Sequence, residues 1–156
     1  MISAIFAVDS KGGLGKNGSM PWPRNKEDLA WFREHTLGHT VVMGGNTWRD
    51  PDMPKPLPKR TNIVITTGTI DTPGVICYNN NWIDDVRALE GDVFIIGGVN
   101  ILNQARGIID RVYLTEFAED YGCDVKMDVT EFLKGFHFIN SLKTETALYT
   151  IWNRTT

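Results

Sequence analysis

The sequence contains few of the features that mark secreted, membrane or nucleic-acid-binding proteins. Its two cysteines, Cys77 and Cys123, form no CxxC motif, so we expect free thiols in a reducing compartment. No hydrophobic run approaches the length of a transmembrane helix. Lysine and arginine form no block, and the net charge of -3 with a pI near 5.6 argues against a nucleic-acid or anionic membrane surface.

Metal ligands and targeting signals are scarce as well. His35 and His39 have the i, i+4 spacing of a helical metal pair, but no HExxH acid lies between them and no cysteine is close in sequence. We therefore predict no metal site. Met1 to Val8 lacks a basic leader, which indicates a first strand and not a signal peptide. Together these absences favour a cytoplasmic protein.

Short apolar runs alternate with helix patterns along the chain, whose 156 residues and 42% hydrophobic content suffice for one domain with a full core. The predicted strands are Ile2–Val8, Thr40–Met43, Arg60–Ile65, Val93–Ile96 and Arg111–Phe117, and the predicted helices are Lys26–His35, Trp82–Leu89 and Val99–Ala105. His137–Leu142 and Thr146–Trp152 alternate apolar and polar residues, as an antiparallel pair does. This order predicts an α/β domain whose mainly parallel sheet has an antiparallel edge and binds ligands beyond the carboxyl ends of its strands.

Two loops interrupt this pattern. Lys11–Ser19 contains four glycines, so we expect a mobile loop, which Met20 and the proline-bounded Trp22 bring back toward the sheet. A plain surface connection is the alternative. Asp50–Lys59 contains four of the seven prolines and is therefore neither helix nor central strand, with Leu57 as its inward anchor.

A carboxylate lies on the aromatic stripe of the first predicted helix. Asp28, Trp31, Phe32 and His35 are spaced i, i+3, i+4 and i+7, so they share one face. A carboxylate on an apolar face must be paired, neutralised or bound to a polar ligand, because burying it alone is costly. The alternative is structural: with Asn25 as the N-cap, Asp28 occupies the acid position of a capping-box-like helix start.

Three predicted strands end in glycines and small hydroxyl side chains. The segments are Gly44-Gly45-Asn46-Thr47, Thr66-Thr67-Gly68 and Gly97-Gly98. Each exposes backbone N–H groups that suit phosphate, although a glycine after a strand is often only turn geometry and the GxGxxG fingerprint is absent. Together at one sheet edge they favour a nucleotide-like ligand with several phosphates.

Other residues suit an aromatic, amide-bearing substrate. The Asp28 carboxylate accepts two hydrogen bonds side by side, which matches an amidine-like edge. The side chains expected around such a ring are Ile5, Ala7, Leu29, Phe32 and Thr115. Arg60 is a candidate for holding a carboxylate at the far end of the substrate, and the alternative for it is a solvated charge at a strand end.

A series of motifs resembles the dihydrofolate reductase family, in the family's order and nearly its spacing. The motifs are Leu14-Gly15, Met20-Pro21-Trp22, Asp28-Leu29-Ala30-Trp31-Phe32, Met43-Gly44 with Thr47-Trp48, Leu57-Pro58 with Arg60, Ile96-Gly97-Gly98 and Tyr113-Leu114-Thr115. The resemblance covers nearly the whole chain. It implies one domain over residues 1–156, with an eight-stranded, mostly parallel sheet, about four helices, NADPH along the strand ends and dihydrofolate over the first helix.

The resemblance also implies a role for each matching residue. Asp28 would bind the pterin ring and promote protonation of its N5, Thr115 would orient Asp28, and Met20 and Trp22 would close the loop over the nicotinamide. The implied folate contacts are Ile5, Ala7, Leu29, Phe32, Leu57 and Ile96, with Arg60 on the α-carboxylate. The implied cofactor contacts are Ala7, Leu14, Ser19, Met20, Gly44, Gly45, Asn46, Thr47, Thr66, Thr67, Ile96, Gly97, Gly98, Val99, Asn100, Ile101 and Leu102, with a cis peptide joining Gly97 to Gly98.

The chain departs from the family pattern at four positions. Gly45 and Asn100 stand where many members carry arginines that grip the 2′-phosphate of NADPH. NADPH remains the expected cofactor, held through strand-end threonines or a neighbouring lysine or arginine, and weak discrimination against NADH stays open. Leu102 replaces an aromatic residue often found beside the nicotinamide, and Cys123 replaces a frequent glycine.

The implied activity is an oxidoreductase step of tetrahydrofolate biosynthesis, the reduction of 7,8-dihydrofolate by hydride transfer from NADPH. We expect a monomer with dihydrofolate as its small-molecule partner, and antifolate inhibitors as further ligands. One alternative is a related pyridine-nucleotide-dependent reductase of another pyrimidine-like ring, against which Asp28, Phe32, Leu57 and Arg60 argue jointly. The other is a non-catalytic pterin or nucleotide binder, which an intact Asp28 beside a closing loop disfavours.

Overall fold

The computed structural model describes residues 1–16 and 18–156. Asn17, which belongs to the predicted glycine loop, lies outside the described residues. The strands are β1 (Ile2–Val8), β2 (Gly13–Gly15), β3 (Thr40–Gly44), β4 (Thr61–Ile65), β5 (Val75–Tyr78), β6 (Val93–Gly97), β7 (Arg111–Phe117), β8 (Val125–Lys126), β9 (Phe136–Lys143) and β10 (Ala147–Arg154). The helices are α1 (Lys26–Thr36), α2 (Gly45–Trp48), α3 (Trp82–Arg87), α4 (Val99–Ala105), α5 (Val129–Phe132) and a 3₁₀ turn at Arg106–Ile108.

The main sheet of the described chain has eight strands in the order β5-β4-β3-β6-β1-β7-β10-β9. The six strands from β5 to β7 pair in parallel, and β10 is antiparallel to both β7 and β9. The α/β class, the mostly parallel sheet and its antiparallel C-terminal edge are therefore confirmed. No helix in the described ranges is both long and apolar enough to cross a membrane.

The parallel strands are buried on both faces, as their continuous apolar runs predict. In β3, Val41 and Met43 belong to one hydrophobic cluster and Val42 to another. In β1, Ile5 packs in the first of these clusters while Ala4 and Phe6 pack in the second. This alternation follows from the two-residue period of a strand, and it fixes which side chains face α1.

The short elements were not predicted. The described chain has five α-helices, where about four were expected. Two of them, α2 and α5, are only four residues long. Sequence patterns also gave no strand at β5, a half-exposed edge strand, or at β2 and β8, which form a separate two-stranded sheet. Elements this short carry too few residues for a hydrophobic period to show.

Candidate active site

Asp28 is directed at the sheet and not at its own helix start. Asn25 caps α1, because its side chain accepts a hydrogen bond from the Asp28 N–H at 3.0 Å. The Asp28 carboxylate instead accepts a bond from Thr115 Oγ1 of β7 at 2.8 Å. The capping interpretation therefore explains Asn25, whereas Asp28 joins the helix to the buried hydroxyl of a central strand.

The surroundings of Asp28 raise the pKa of its carboxyl group above the usual value for Asp. Burial raises its pKa, the hydrogen bond from Thr115 lowers it, and the charge of Glu27 raises it, with a raised pKa as the net result. One helical turn away, the Trp31 Nε1–H is buried and has no hydrogen-bond partner among the described residues. A buried N–H donor without a protein acceptor marks a place for a water or a polar ligand.

The predicted apolar lining comes together around α1. Ile5 and Leu57 are 3% and 7% exposed, and they belong to one cluster against which Phe32 and Ile96 pack. Ala7 packs instead against the cluster that contains Trp22. Leu29 is 39% exposed, so it can line only the rim of this site.

A buried amide that sequence reasoning missed holds the proline loop in place. The Asn62 side chain, on β4, accepts from the Leu57 N–H at 2.9 Å and donates to the Leu57 carbonyl at 2.9 Å. Asn62 is 1% exposed, and its two bonds to Leu57 replace the ladder that a proline-rich segment cannot form. Leu57 is therefore fixed inward, as the prediction of an anchor requires.

Arg60 is held against α1 and is not a solvated strand-end charge. Its Nη1 donates to Thr36 Oγ1 at 3.0 Å, and its Nε donates to the Pro58 carbonyl at 2.9 Å. The guanidinium carbon lies 5.8 Å from the centre of the Phe32 ring. Arg60 is thus oriented by the same helix that presents Asp28, two turns further along.

The glycine loop is tied to two neighbouring segments. Ser19, predicted as a cofactor contact, has its Oγ 2.9 Å from Asp50 Oδ1 and 3.0 Å from Asp52 Oδ2, so in this structure it connects the loop to the proline segment. Trp22 is 9% exposed and packs on the rings of Phe117 and Tyr121 at 4.9 and 6.0 Å. Met20 between them is 48% exposed, which leaves it available to cover a ligand.

The three strand ends lie side by side. Gly44 of β3 pairs with Ile65 of β4, and Met43 pairs with Gly97 of β6. The peptide between Gly97 and Gly98 is cis, and Gly97 has φ of 132°, a value that favours glycine. The sheet therefore brings the predicted glycine segments to one edge.

This edge fits a phosphate-bearing cofactor. A Cβ built on Gly97 or Gly98 would meet only Thr47 Oγ1 within 4 Å among the described atoms, at 3.6 and 4.0 Å. The two glycines thus leave an open space beside one hydroxyl at the start of α4, where Gly98 is the N-cap. The first N–H groups of a helix have no partner within the helix, and together with a hydroxyl they suit phosphate. A third strand-end glycine serves packing, because a Cβ on Gly44 would lie 2.8 Å from Ile101 Cγ1.

Leu102 lies outside this edge, in the hydrophobic core. It was predicted to contact the cofactor, but its side chain is 0% exposed and packs in the same cluster as Ile95 and Ala105. A side chain with no accessible surface does not touch a bound molecule, so Leu102 packs in the core and does not contact the cofactor. The sequence gives no sign of this difference, because Leu102 and Ile101 are equally apolar neighbours on α4.

The two histidines considered as metal ligands serve as aromatic packing groups. The His35 ring lies 4.4 Å from both Trp31 and Tyr113, and burial lowers its pKa. His39 packs 5.8 Å from Phe94. Within the described ranges, no group of three or more His, Cys, Asp or Glu side chains is arranged to hold a metal ion.

Glu27, beside Asp28, is anchored by hydroxyl groups that sequence reasoning also missed. Its Oε2 accepts from Thr144 Oγ1 at 2.8 Å and from Tyr149 Oη at 2.9 Å. Tyr149 is 2% exposed, and burial together with the bond to Glu27 raises its pKa. These bonds attach the start of α1 to the hairpin between β9 and β10.

We expect the Tyr149→Phe variant to be less stable by about 1–2 kcal/mol, because a hydrogen bond from a buried hydroxyl to a carboxylate is lost. Urea denaturation at neutral pH measures the difference. Tyr78→Phe, on the edge strand β5, is the matched control and should stay within about 0.5 kcal/mol of the parent. Equal stability of the Tyr149 variant and the parent would mean that the Glu27 anchor contributes nothing.

Comparison with known proteins gives one consistent family. The family model described as dihydrofolate reductase matches residues 1–148. The chain is 34% identical to the type 8 dihydrofolate reductase of Escherichia coli over 145 residues, which are 86% of this chain and 85% of that one. It is 35% identical to the dihydrofolate reductase of Haemophilus influenzae over 124 residues, 78% and 75% of the two chains.

A solved structure extends this similarity to the fold. A dihydrofolate reductase from Enterococcus faecalis, complexed with NADP(H) and a compound named RAB-propyl, superposes with a TM-score of 0.84 at 25% sequence identity. The match covers 100% of this chain and 97% of that one. The overall fold described above is therefore shared with that protein.

Proposed function

The chain belongs to the dihydrofolate reductase family, and from this premise we propose that it reduces 7,8-dihydrofolate to 5,6,7,8-tetrahydrofolate with NADPH. The observation that carries the proposal is the hydrogen bond between Thr115 and Asp28. The half-buried carboxylate of Asp28, on α1, accepts this bond from Thr115 Oγ1, on the central strand β7, at 2.8 Å. It lies beside apolar side chains that suit a flat ring.

Asp28 binds the pterin through the edge that carries N3 and the 2-amino group. Two N–H groups on one ring edge donate to the two carboxylate oxygens. Thr115 Oγ1 already donates to Oδ1, which leaves further lone pairs on both oxygens for the substrate. The buried hydroxyl thus fixes the plane of the carboxylate, and the bound ring takes its orientation from that plane.

Asp28 also promotes protonation of the pterin N5. A carboxyl group whose pKa is raised by burial holds a proton closer to neutral pH than a solvated one does. The proton reaches N5 through a water, because the carboxylate binds the opposite edge of the ring. The buried Trp31 Nε1–H, one turn from Asp28, supports such a water because it needs an acceptor.

Other side chains position the rest of the substrate. Ile5, Phe32 and Leu57 pack against the ring and the group beyond it, while Arg60 receives a carboxylate of the substrate tail. The guanidinium is already oriented by Thr36, so little side-chain entropy is lost on binding. Met20 and Trp22 then exclude water from the reacting edge.

Thr47, Gly97 and Gly98 are the residues that would hold the cofactor's phosphates. NADPH supplies the hydride that reduces C6 of the pterin. The carboxylate of Asp28 stabilises positive charge that develops on the ring during that transfer. The protein's contribution is therefore to hold two flat rings together, shielded from bulk solvent, with one negative group beside them.

We propose that the protein acts as a monomer and that its partner is a small molecule. The cytoplasm as its compartment stays a prediction. So does the absence of a nucleic-acid partner, which rests on the net charge of -3 and on a sequence without a basic block.

The test is a cofactor-consumption assay. We expect the absorbance of NADPH to fall when dihydrofolate is added to enzyme and NADPH, and not when the enzyme is omitted. A reductase of another pyrimidine-like ring would leave the absorbance unchanged with dihydrofolate and lower it with that other substrate. A pure binder would bind both ligands with no absorbance change. Either result would contradict the proposal.

A further inference from the structure

The guanidinium of Arg49 occupies the space in front of Gly45. A Cβ built on Gly45 would lie 2.9 Å from Arg49 Nη1, 3.3 Å from Nη2 and 3.4 Å from Cζ. All three atoms belong to the charged end of the side chain. Arg49 follows α2 directly and folds back over it, so the cation lies where a side chain at position 45 would otherwise begin.

This fold-back is stabilised by a neighbour. Arg49 Nη2 donates to Asn46 Oδ1 at 2.8 Å, which orients the planar guanidinium and leaves its other N–H donors available. The Arg49 side chain is exposed. The ion pairs in residues 1–16 and 18–156 join Met1 to Asp92 and Lys134 to Glu131, so no carboxylate there neutralises Arg49.

The position of Arg49 places this charge at the phosphate-binding edge. Gly45 follows the last residue of β3, which lies between β4 and β6 in the sheet. Thr47, whose hydroxyl faces Gly97 and Gly98, is two residues from Arg49 on the same short segment. An oriented guanidinium with free N–H donors, in front of the glycine that follows β3, is suited to a phosphate monoester dianion.

We propose that Arg49 binds the ribose 2′-phosphate of NADPH and makes the enzyme prefer NADPH over NADH. The inference rests on the proposed function and adds a residue to it. Position 45 has no side chain and position 100 is an asparagine, so neither supplies a cation. The missing side chain at Gly45 gives the space that Arg49 fills, and the cation therefore comes from four residues further along the chain.

The test measures cofactor binding without substrate. Isothermal titration of the intact protein with NADP⁺ and with NAD⁺ gives the two dissociation constants. We expect Arg49→Gln to weaken NADP⁺ binding by at least ~30-fold, about 2 kcal/mol, and to change NAD⁺ binding by less than ~3-fold. Arg49→Lys keeps the charge but loses the planar fork, so its effect on NADP⁺ should be intermediate.

Arg87→Gln is the control for loss of charge alone. It makes the same substitution on the exposed last turn of α3, and it should change neither dissociation constant by more than ~2-fold, because a distant exposed charge is screened by salt. Circular dichroism before titration establishes that every variant is folded.

Two results would overturn the inference: an unchanged ratio of the NADP⁺ and NAD⁺ dissociation constants in Arg49→Gln, or an equal weakening of both. Neither touches the proposed function, as long as the parent still consumes NADPH with dihydrofolate. Conversely, a parent that binds NADP⁺ through Arg49 but consumes no NADPH with dihydrofolate would contradict the proposed function and support Arg49. The two claims therefore fail separately.

Discussion

Replacing Asp28 by asparagine lowers the rate of hydride transfer at neutral pH by at least ~10-fold. Asparagine keeps an oxygen that accepts from Thr115, but it carries no negative charge for the ring and no proton for N5. Single-turnover measurements of the NADPH absorbance, with enzyme in excess over dihydrofolate, report this step without product release. Glu34→Gln, on the exposed side of the same helix, is the control and should leave the rate unchanged.

The pH dependence distinguishes a catalytic loss from a packing loss. The Asp28→Asn variant should recover part of its rate as the pH falls, because the substrate then arrives already protonated at N5. A variant damaged only in its packing would stay below the parent by a constant factor at every pH. A variant as fast as the parent at neutral pH would show that Asp28 is not the acid of this site.

Stability should move in the opposite direction from activity. Burial and Glu27 leave the Asp28 pKa raised, so the folded protein holds a proton on Asp28 more tightly than the unfolded chain does. Its stability contribution is present below the unfolded pKa, near the usual ~3.9 for Asp, and is lost as the pH rises through the higher folded pKa. The asparagine of the Asp28→Asn variant stays neutral at every pH, and we expect that variant to be at least as stable as the parent at neutral pH.

How far the sequence predicts this site depends on the range of the interaction involved. Asn25 and Asp28 could be placed because helix capping and the i, i+3 stripe are local patterns, and the strand-end glycines could be placed because each follows a strong apolar run. The link from Asp28 to Thr115 spans 87 positions. Only the family resemblance predicted it, since no local period connects α1 to β7.

The residues that sequence reasoning missed all make contacts of one of two kinds. The partner is either far away in the sequence, or is reached only because of the direction in which one side chain points. Asn62 pins Leu57 by folding back onto the preceding loop, and Tyr149 reaches Glu27 across 122 positions. In the sequence nothing distinguishes Arg49 from other arginines, and only the structure places its guanidinium in front of Gly45. A short polar side chain has no periodic partner, so its contacts become visible only once the strands are assembled.

Asp9 is another such residue, and it connects the glycine loop to the segment before β8. Its Oδ1 accepts from the N–H groups of Lys11 and Gly13 at 2.9 and 2.7 Å. Its Oδ2 accepts from the Tyr121 N–H at 3.0 Å and from the Cys123 thiol at 3.3 Å. Oδ1 therefore binds the glycine loop and Oδ2 binds the segment before β8. The Asp9 side chain that joins them is 2% exposed.

The charged form of Asp9 is the form that the fold requires. Burial raises its pKa, but the hydrogen bonds from Tyr121, Gly13, Lys11 and Cys123 outweigh burial and leave the pKa lowered. The thiol stays protonated as a donor, because burial and Asp9 raise the pKa of Cys123 to about 11. Cys123, which stands where the family often has glycine, thus serves as a donor to the loop anchor.

We expect Asp9→Asn to lower the free energy of unfolding by about 2–4 kcal/mol at neutral pH. The amide NH₂ group replaces either Oδ1 or Oδ2, so the donors of either the glycine loop or the segment before β8 lose their acceptor. Each buried donor left without an acceptor costs about 1–3 kcal/mol. Urea denaturation measures this difference. Asp71→Asn, at an exposed position, should change stability by less than about 0.5 kcal/mol.

The sign of the pH dependence provides an independent check of this anchor. A lowered folded pKa means that the contribution of Asp9 is present above the unfolded pKa, near ~3.9, and is lost as the pH falls through the folded value. The difference in the free energy of unfolding between the parent and Asp9→Asn should therefore be largest at neutral pH and should decrease below about pH 4. A gap that stayed constant down to the most acidic pH would mean that the Asp9 charge is not what holds the two loops together, and that the loss comes from the shape of the amide.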